Sequence, residues 1–232
     1  MSDEIMNETT DVIIVAAGSG TRLGYSIPKA FVPLNGKPIL SYSIDFFLSH
    51  KSINHVILVV SEFMLEESKE LFSSKGVTIV TGGKERWQSV KNGVNASDAK
   101  WVMIHDAARP FVTTEVVDSV LQKKNEFACI ITATPVVDTI REFSGDIAGK
   151  TIDREKLIRV GTPQLFNREI LLNAFASYKD ESKIPTDEAM LIQEAGISVG
   201  ISWGDPNNFK ITTKSDLVLA ETLIKELTNL KI

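Results

Sequence analysis

Cysteine is nearly missing from this sequence. The single Cys129 excludes an internal disulfide and a cysteine cluster, and its setting, "FACIITATPV", makes it a small apolar group on a buried strand. A surplus of positive charge is missing too. The formal charge is -5 with the basic residues dispersed, so no cationic face is available to neutralise a nucleic-acid backbone. No apolar run approaches membrane-spanning length, and the amino end, "MSDEIMNETT", has neither the basic start nor the apolar stretch of an export signal. These absences predict a cytoplasmic protein with no nucleic-acid and no membrane partner. Of the three histidines, His50 and His55 fall at a helix end and a strand start, as surface residues. His105 reads as a buried, hydrogen-bonded residue rather than a base. What is present is 232 residues, 43% of them apolar, enough for the core of one sizeable domain. Residues 1–10 read as a disordered extension and 11–232 as that single domain.

Short β-rich runs alternate with stretches of helical period, the pattern of an α/β fold: Rossmann-like, with a mostly parallel sheet flanked by helices. Strands are predicted at 12–17, 56–60, "VTIVTGG", 101–108 and "ACIITATPVV", with a later one at "SVGISW". Helices are predicted after Pro38, over 62–75 with a stop at Gly76, around Trp87, Val90 and Val94, and after a cap at Thr113 or Thr114. Further helices are predicted over 168–178, from "PTDEAMLIQEAG", and at the end of the chain after a cap near Ser215 or Asp216. The segment 137–159 breaks the alternation. Its two short alternating runs around Gly-Asp-Ile-Ala-Gly predict a projecting β-hairpin, and a hairpin alone in water is marginal, so it is expected to act as a dimerisation arm.

The loop "AAGSGTRLGYSIPKA" follows the first strand and so lies where open α/β sheets bind ligands. Gly18 and Gly20 let backbone N–H groups approach phosphate oxygens, and Arg22 and Lys29 add fixed positive charge, which suits a polyphosphate. The spacing is neither G-x-G-x-x-G nor a P-loop. A bare glycine-rich turn with solvated charges is the plainer reading; strand position, Arg22 and Lys29 together outweigh it. Asp106 ends a strand on the same sheet edge, where a carboxylate can hold Mg²⁺ against phosphates, accept a substrate hydroxyl, or merely cap local N–H groups. No nucleophile or general base stands out. A phosphate monoester, with its second pKa near ~6, is already mostly dianionic at neutral pH and needs none. It needs cations and Mg²⁺ to cancel repulsion and stabilise developing charge.

The loop is similar to the A-A-G-x-G-x-R-x-G…P-K signature of sugar nucleotidyltransferases. With "GGKERWQSV", "HDAARP", "TIDR", "TPQLF", "PTDEA" and "NFKITTKSDL", the chain after Asp11 resembles the 2-C-methyl-D-erythritol 4-phosphate cytidylyltransferase family of the non-mevalonate isoprenoid pathway. The resemblance implies transfer of CMP from CTP, as co-substrate, to a polyol phosphate, with release of pyrophosphate. It implies that Arg22 and Lys29 stabilise the transition state and that Arg154 and Lys210 position the acceptor, Arg154 reaching into the neighbouring subunit of a homodimer. Asp106, Arg109, Thr139, Thr162 and Thr186 match other substrate-side positions, while Ala16, Ala17, Gly18, Gly83 and Ser89 fall where the family holds cytosine and ribose. Without the motifs, Arg154 and Lys210 read as surface charges, the three threonines as turn or cap residues, and Ser89 as an exposed helical serine. Asn207 stands where some relatives carry an acid, which argues against a second metal carboxylate, and no fused cyclodiphosphate synthase domain is expected. Ribitol 5-phosphate cytidylyltransferase shares the loop and "TPQ", but "TIDR" and "AARP" favour methylerythritol phosphate. A catalytically dead nucleotide sensor would have no use for Arg22, Lys29 and Lys210 aimed at a transition state.

Overall fold

A computed structural model describes residues 8–18, 23–178, 185 and 187–229. The chain opens with β1 (Thr10–Val15), a small ribbon of β2 (Pro33–Leu34) and β3 (Lys37–Pro38), α1 (Ile39–Ser49) and β4 (His55–Val60). It continues through α2 (Leu65–Phe72), β5 (Thr78–Thr81), α3 (Arg86–Asn95), β6 (Trp101–Asp106), α4 (Thr114–Gln122) and β7 (Cys129–Pro135). A hairpin of β8 (Ile140–Ser144) and β9 (Ile147–Ile152) precedes β10 (Ile158–Asn167), α5 (Arg168–Ser177), α6 (Glu188–Glu194), β11 (Gly200–Trp203) and α7 (Lys214–Asn229).

The main sheet has seven strands in the order β11-β7-β10-β6-β1-β4-β5. Only β10 runs against its neighbours, antiparallel to both β6 and β7. The parallel strands read as continuous apolar runs because both faces are covered. Alternate residues of β1 show it: Val12 and Ile14 pack against Leu40, Ile44 and Phe47 of α1, whereas Ile13 packs against Val90 and Val94 of α3. Each fully buried side chain of this kind contributes about 1.5–3 kcal/mol. A third cluster seats α7, through Leu217, Ala220 and Ile224, against Leu23, Val32 and Leu34 beside the glycine loop.

The expected fold class is observed, with shifted boundaries. β1 begins at the buried Thr10, and Glu8 forms ion pairs with Lys100 and Lys124, so residues 8–10 are tied to the domain. The rest of the expected extension, 1–7, lies outside the described residues. The helical stretch 62–75 divides into a short 3-10 turn, α2 and a second 3-10 turn, ending at Gly76 with φ +79°, a conformation that favours glycine. Thr113 caps α4 by accepting from the Val116 N–H at 3.4 Å. The cap of α7 sits earlier than expected: the Thr213 hydroxyl accepts from the Asp216 N–H at 3.2 Å, and the Asp216 carboxylate accepts from the Thr213 N–H at 2.8 Å.

β10 has no counterpart among the predicted strands. The hairpin was predicted, and β8 and β9 pair only with each other, in a separate two-stranded sheet. Its apolar residues Phe143 and Ile147 are 82% and 75% exposed. No helix among the described residues is long and apolar enough to cross a membrane.

Candidate active site

β1 and β6 are parallel neighbours, so their carboxyl ends, at Val15 and Asp106, open on one edge of the sheet. There a cavity of about 320 Å³ is lined by Ala16, Ala17, Gly18, Lys29, Gly83, Ser89, Asp106 and Lys210, all singled out from the sequence, and also by Glu85 and Arg86. Beside it lies a smaller cavity of about 210 Å³, lined by Arg109, Thr134, Arg159, Thr162, Asp205 and Lys210 among others. Lys210 belongs to both walls.

Asp106 is the electrostatic centre. Lys210 Nζ donates to its Oδ2 at 2.8 Å, Arg109 Nε lies 3.7 Å from the same oxygen, and Arg86 Nη2 lies 3.6 Å from Oδ1. Burial alone would raise this carboxyl. Lys210 first, then Arg86 and Arg109, outweigh burial and hold it well below the ordinary carboxylate range. Asp106 is therefore ionised at neutral pH.

Its backbone is fixed by a closed set of hydrogen bonds. The Thr162 hydroxyl accepts from the Asp106 N–H at 3.0 Å and faces His105 Nδ1 at 3.3 Å, while His105 Nε2 faces the Arg109 carbonyl at 3.0 Å. The carbonyl can only accept, so Nε2 carries the hydrogen and Nδ1 accepts from Thr162. Burial pushes His105 down to about 4, which keeps it neutral. It is the buried, hydrogen-bonded histidine expected from the sequence. Arg109 in turn donates through Nη1 to the Asn208 carbonyl at 2.9 Å, and Asn208 Nδ2 donates to the Thr162 carbonyl at 2.9 Å.

The opposite wall of the larger cavity needs glycine. A Cβ on Gly82 would lie 2.6 Å from Ala17 Cβ and 2.7 Å from Ser89 Oγ, and one on Gly83 would lie 2.4 Å from Gln88 Cβ. Only a bare backbone passes between the loop after β1 and the start of α3. Ser89 is 2% exposed rather than a surface serine. Its hydroxyl accepts from the Gly83 N–H at 3.1 Å and donates to the Glu85 carbonyl at 3.3 Å, so it fixes the Gly83 peptide.

Other expected residues are not gathered here. Gly20, Arg22 and Thr186 lie outside the described residues. Thr139 and Arg154 sit exposed at the root of the hairpin and line neither cavity; Arg154 donates to the Val137 carbonyl. Sequence reasoning in turn missed Arg86, Glu188, Asn208 and Arg159. Arg86 and Glu188 both stand in stretches already marked, "GGKERWQSV" and "PTDEA". A cation at the first helical position, three residues after the Gly82-Gly83 pair, was the available signal for Arg86.

With this geometry in view, the chain can be set beside known proteins. A family model described as IspD: 2-C-methyl-D-erythritol 4-phosphate cytidylyltransferase matches residues 10–226. The chain is 39% identical over 224 residues to the 2-C-methyl-D-erythritol 4-phosphate cytidylyltransferase of Clostridium botulinum (strain Langeland), covering 94% of this chain and 98% of the relative. Its identity to that of Bacillus licheniformis is 37% over 221 residues, covering 93% and 95%. Among solved structures it is similar to the cytidylyltransferase of that name from Thermus thermophilus, with TM-score 0.80, 30% identity, and 94% and 99% of the two chains covered. It is also similar to the 4-diphosphocytidyl-2C-methyl-D-erythritol synthase of Anaerococcus prevotii, with TM-score 0.83, 26% identity, and 94% and 96% covered.

Proposed function

The chain belongs to the 2-C-methyl-D-erythritol 4-phosphate cytidylyltransferase family, and on that footing we propose that it transfers CMP from CTP to 2-C-methyl-D-erythritol 4-phosphate. The products are 4-diphosphocytidyl-2-C-methyl-D-erythritol and pyrophosphate. The observation that carries this reading is Lys210, a cation on the wall of both cavities. Two anionic substrates bound side by side would meet across it.

The larger cavity suits the nucleotide. The backbone of Ala16, Ala17, Gly18 and Gly83 offers close, directional contacts to a base and ribose, with Ser89 holding the Gly83 peptide still. Lys29 faces the same space, and in this reading it works with Arg22 and the Gly20 loop on the triphosphate. The smaller cavity, with Arg109, Thr162 and Lys210, suits the acceptor phosphate, with Thr186 assigned to the same substrate.

One oxygen of the acceptor phosphate attacks the α-phosphorus of CTP. The bond from that phosphorus to the bridging oxygen breaks, and pyrophosphate leaves with the electron pair. The acceptor needs no deprotonation, which accords with a neutral, sealed His105. The cations position the two anions and stabilise the charge that grows on the α-phosphate and the leaving group.

Among the described residues no group of three or more His, Cys, Asp or Glu side chains is arranged to hold a metal ion. The wall acid Glu85 is committed to capping α3. The donor set fits a Mg²⁺ that takes most of its ligands from phosphates and water, with Asp106 the carboxylate that would help hold it. When bound, such an ion would neutralise phosphate charge during the transfer.

The arm supports a homodimer. Phe143, Ile147 and Val137 are 82%, 75% and 69% exposed, and a twofold-related copy would cover them while carrying Thr139 and Arg154 to a neighbour's acceptor pocket.

Pyrophosphate release tests the reading. We expect release with CTP and 2-C-methyl-D-erythritol 4-phosphate, abolished by excess chelator and restored by Mg²⁺. Release with ribitol 5-phosphate alone would assign the runner-up acceptor. CTP binding without release on either acceptor would assign a nucleotide sensor.

A further inference from the structure

Glu188 is 0% exposed, yet it is an acid. It is the first residue of α6, whose N-cap Asp187 accepts from the Met190 N–H at 3.1 Å. A carboxylate so completely withdrawn from water is costly unless paired, and an apolar side chain of similar volume would serve packing at least as well. Glu188 is paired with one group in particular. Both of its oxygens accept from Arg86 Nη1, at 2.7 and 2.8 Å.

Arg86 is the first residue of α3 and lines the nucleotide-sized cavity. With Nη1 held by Glu188, the guanidinium plane turns its other terminal nitrogen toward the sheet edge, where Nη2 lies 3.6 Å from Asp106 Oδ1. Asp106 Oδ2 holds Lys210. Four residues thus form a chain from a sealed interior, Glu188 to Arg86 to Asp106 to Lys210, and its last member stands on the wall shared by the two cavities. Glu188 and Asp106 together raise the Arg86 guanidinium against the effect of burial, so it stays charged throughout.

We propose that Glu188 is a positioning residue of the transfer reaction: it fixes the Arg86 guanidinium, which restrains the Asp106 carboxylate and through it the Lys210 ammonium between the two substrates. The idea rests on the cytidylyltransferase reading, because its effect is seen in turnover. A helix-first acid that only stabilised α6 would have no such reach.

The test compares the parent with Glu188→Gln, which keeps shape and one acceptor but removes charge. It adds the double variant Arg86→Met/Glu188→Met, which removes both members of the buried pair and leaves no unpaired charge. Pyrophosphate release is followed with CTP and each candidate polyol phosphate, CTP affinity is measured by calorimetry, and folding is checked by circular dichroism. For Glu188→Gln we expect kcat/KM for the acceptor to fall about 10- to 100-fold, by analogy with groups that orient the direct ligands of a metal site. CTP Kd should stay close to the parent's. The double variant should remain folded and show at least the same loss of turnover. Parent-like kinetics in either folded variant overturns the proposal. So does an equal loss of CTP affinity in Glu188→Gln, or failure of both variants to fold, since the pair would then be merely structural. A parent that is inert with every acceptor refutes the function reading instead and is told apart by that control.

Discussion

Lys210 Nζ donates to Asp106 Oδ2 at 2.8 Å, joining residues 104 apart in sequence at the seam between two cavities. The Lys210 side chain remains 37% exposed, so in stability this pair is screened and worth at most about 1 kcal/mol. In turnover it should count for much more. We expect Asp106→Asn and Lys210→Met each to lower kcat/KM by about 10²-fold or more, with the double variant losing little beyond the worse single one. Steady-state kinetics on the four proteins of the cycle provide the check; losses that simply multiply would mean that the two groups act separately.

Lys29 faces the larger cavity from a short 3-10 turn directly after the glycine loop. Removing a preorganised stabiliser of transition-state charge typically costs ~10² to 10³-fold, roughly 3 to 4 kcal/mol. Lys29→Ala should therefore lose kcat while its CTP affinity changes far less. Single-turnover rates with saturating CTP measure this, and a folded variant as fast as the parent would remove Lys29 from the role.

His105 predicts how stability responds to acid. Its folded value is pushed down to about 4 from an ordinary 6.5. As pH falls through 6.5 the unfolded chain takes up a proton that the folded chain refuses, so stability drains away until the pH nears 4 and then levels. The loss amounts to about 3 kcal/mol. Urea unfolding at neutral pH and near pH ~4.5, compared with His105→Gln, isolates this contribution. The parent should lose about 2 to 3 kcal/mol more than the variant, and equal losses would mean that His105 takes up its proton in the folded protein too.

The arm predicts complementation. Arg154→Ala and Lys29→Ala are each expected to be inactive alone. After subunit exchange, one site of the mixed dimer carries both defects and the other neither, so activity should return to a substantial fraction of the parent's. Confirmed exchange with no recovery would mean that Arg154 acts within its own chain.

The parallel strands were legible because burial on both faces writes them as unbroken apolar runs, as in "VIIV" and "VILVV". β10 was not: Gly161 and Pro163 interrupt its pattern, and its register shifts between Gly161 and Leu165, so only pairing with β6 and β7 makes it a strand. The hairpin announced itself through alternation around its glycines, and the turn at Gly145 has φ +57°. Asp106 could be placed on the binding edge from its strand alone. Its partners could not, since Lys210 and Arg86 arrive from distant elements. Glu188 was hidden most completely. An acid just after an N-cap Asp looks like an ordinary dipole-compensating residue, and nothing local reveals that α6 turns it inward onto Arg86. Ser89 was hidden the same way, because helical spacing does not tell which polar residue lies beneath a Gly-Gly turn.

The central claim is the identity of the transferred group and its acceptor. The most direct measurement offers CTP, Mg²⁺, 2-C-methyl-D-erythritol 4-phosphate and ribitol 5-phosphate together in one reaction and identifies the products by mass spectrometry. The account predicts 4-diphosphocytidyl-2-C-methyl-D-erythritol as the dominant new species, formed in step with pyrophosphate; a cytidylylated ribitol as the main product, or CTP left intact, would contradict it.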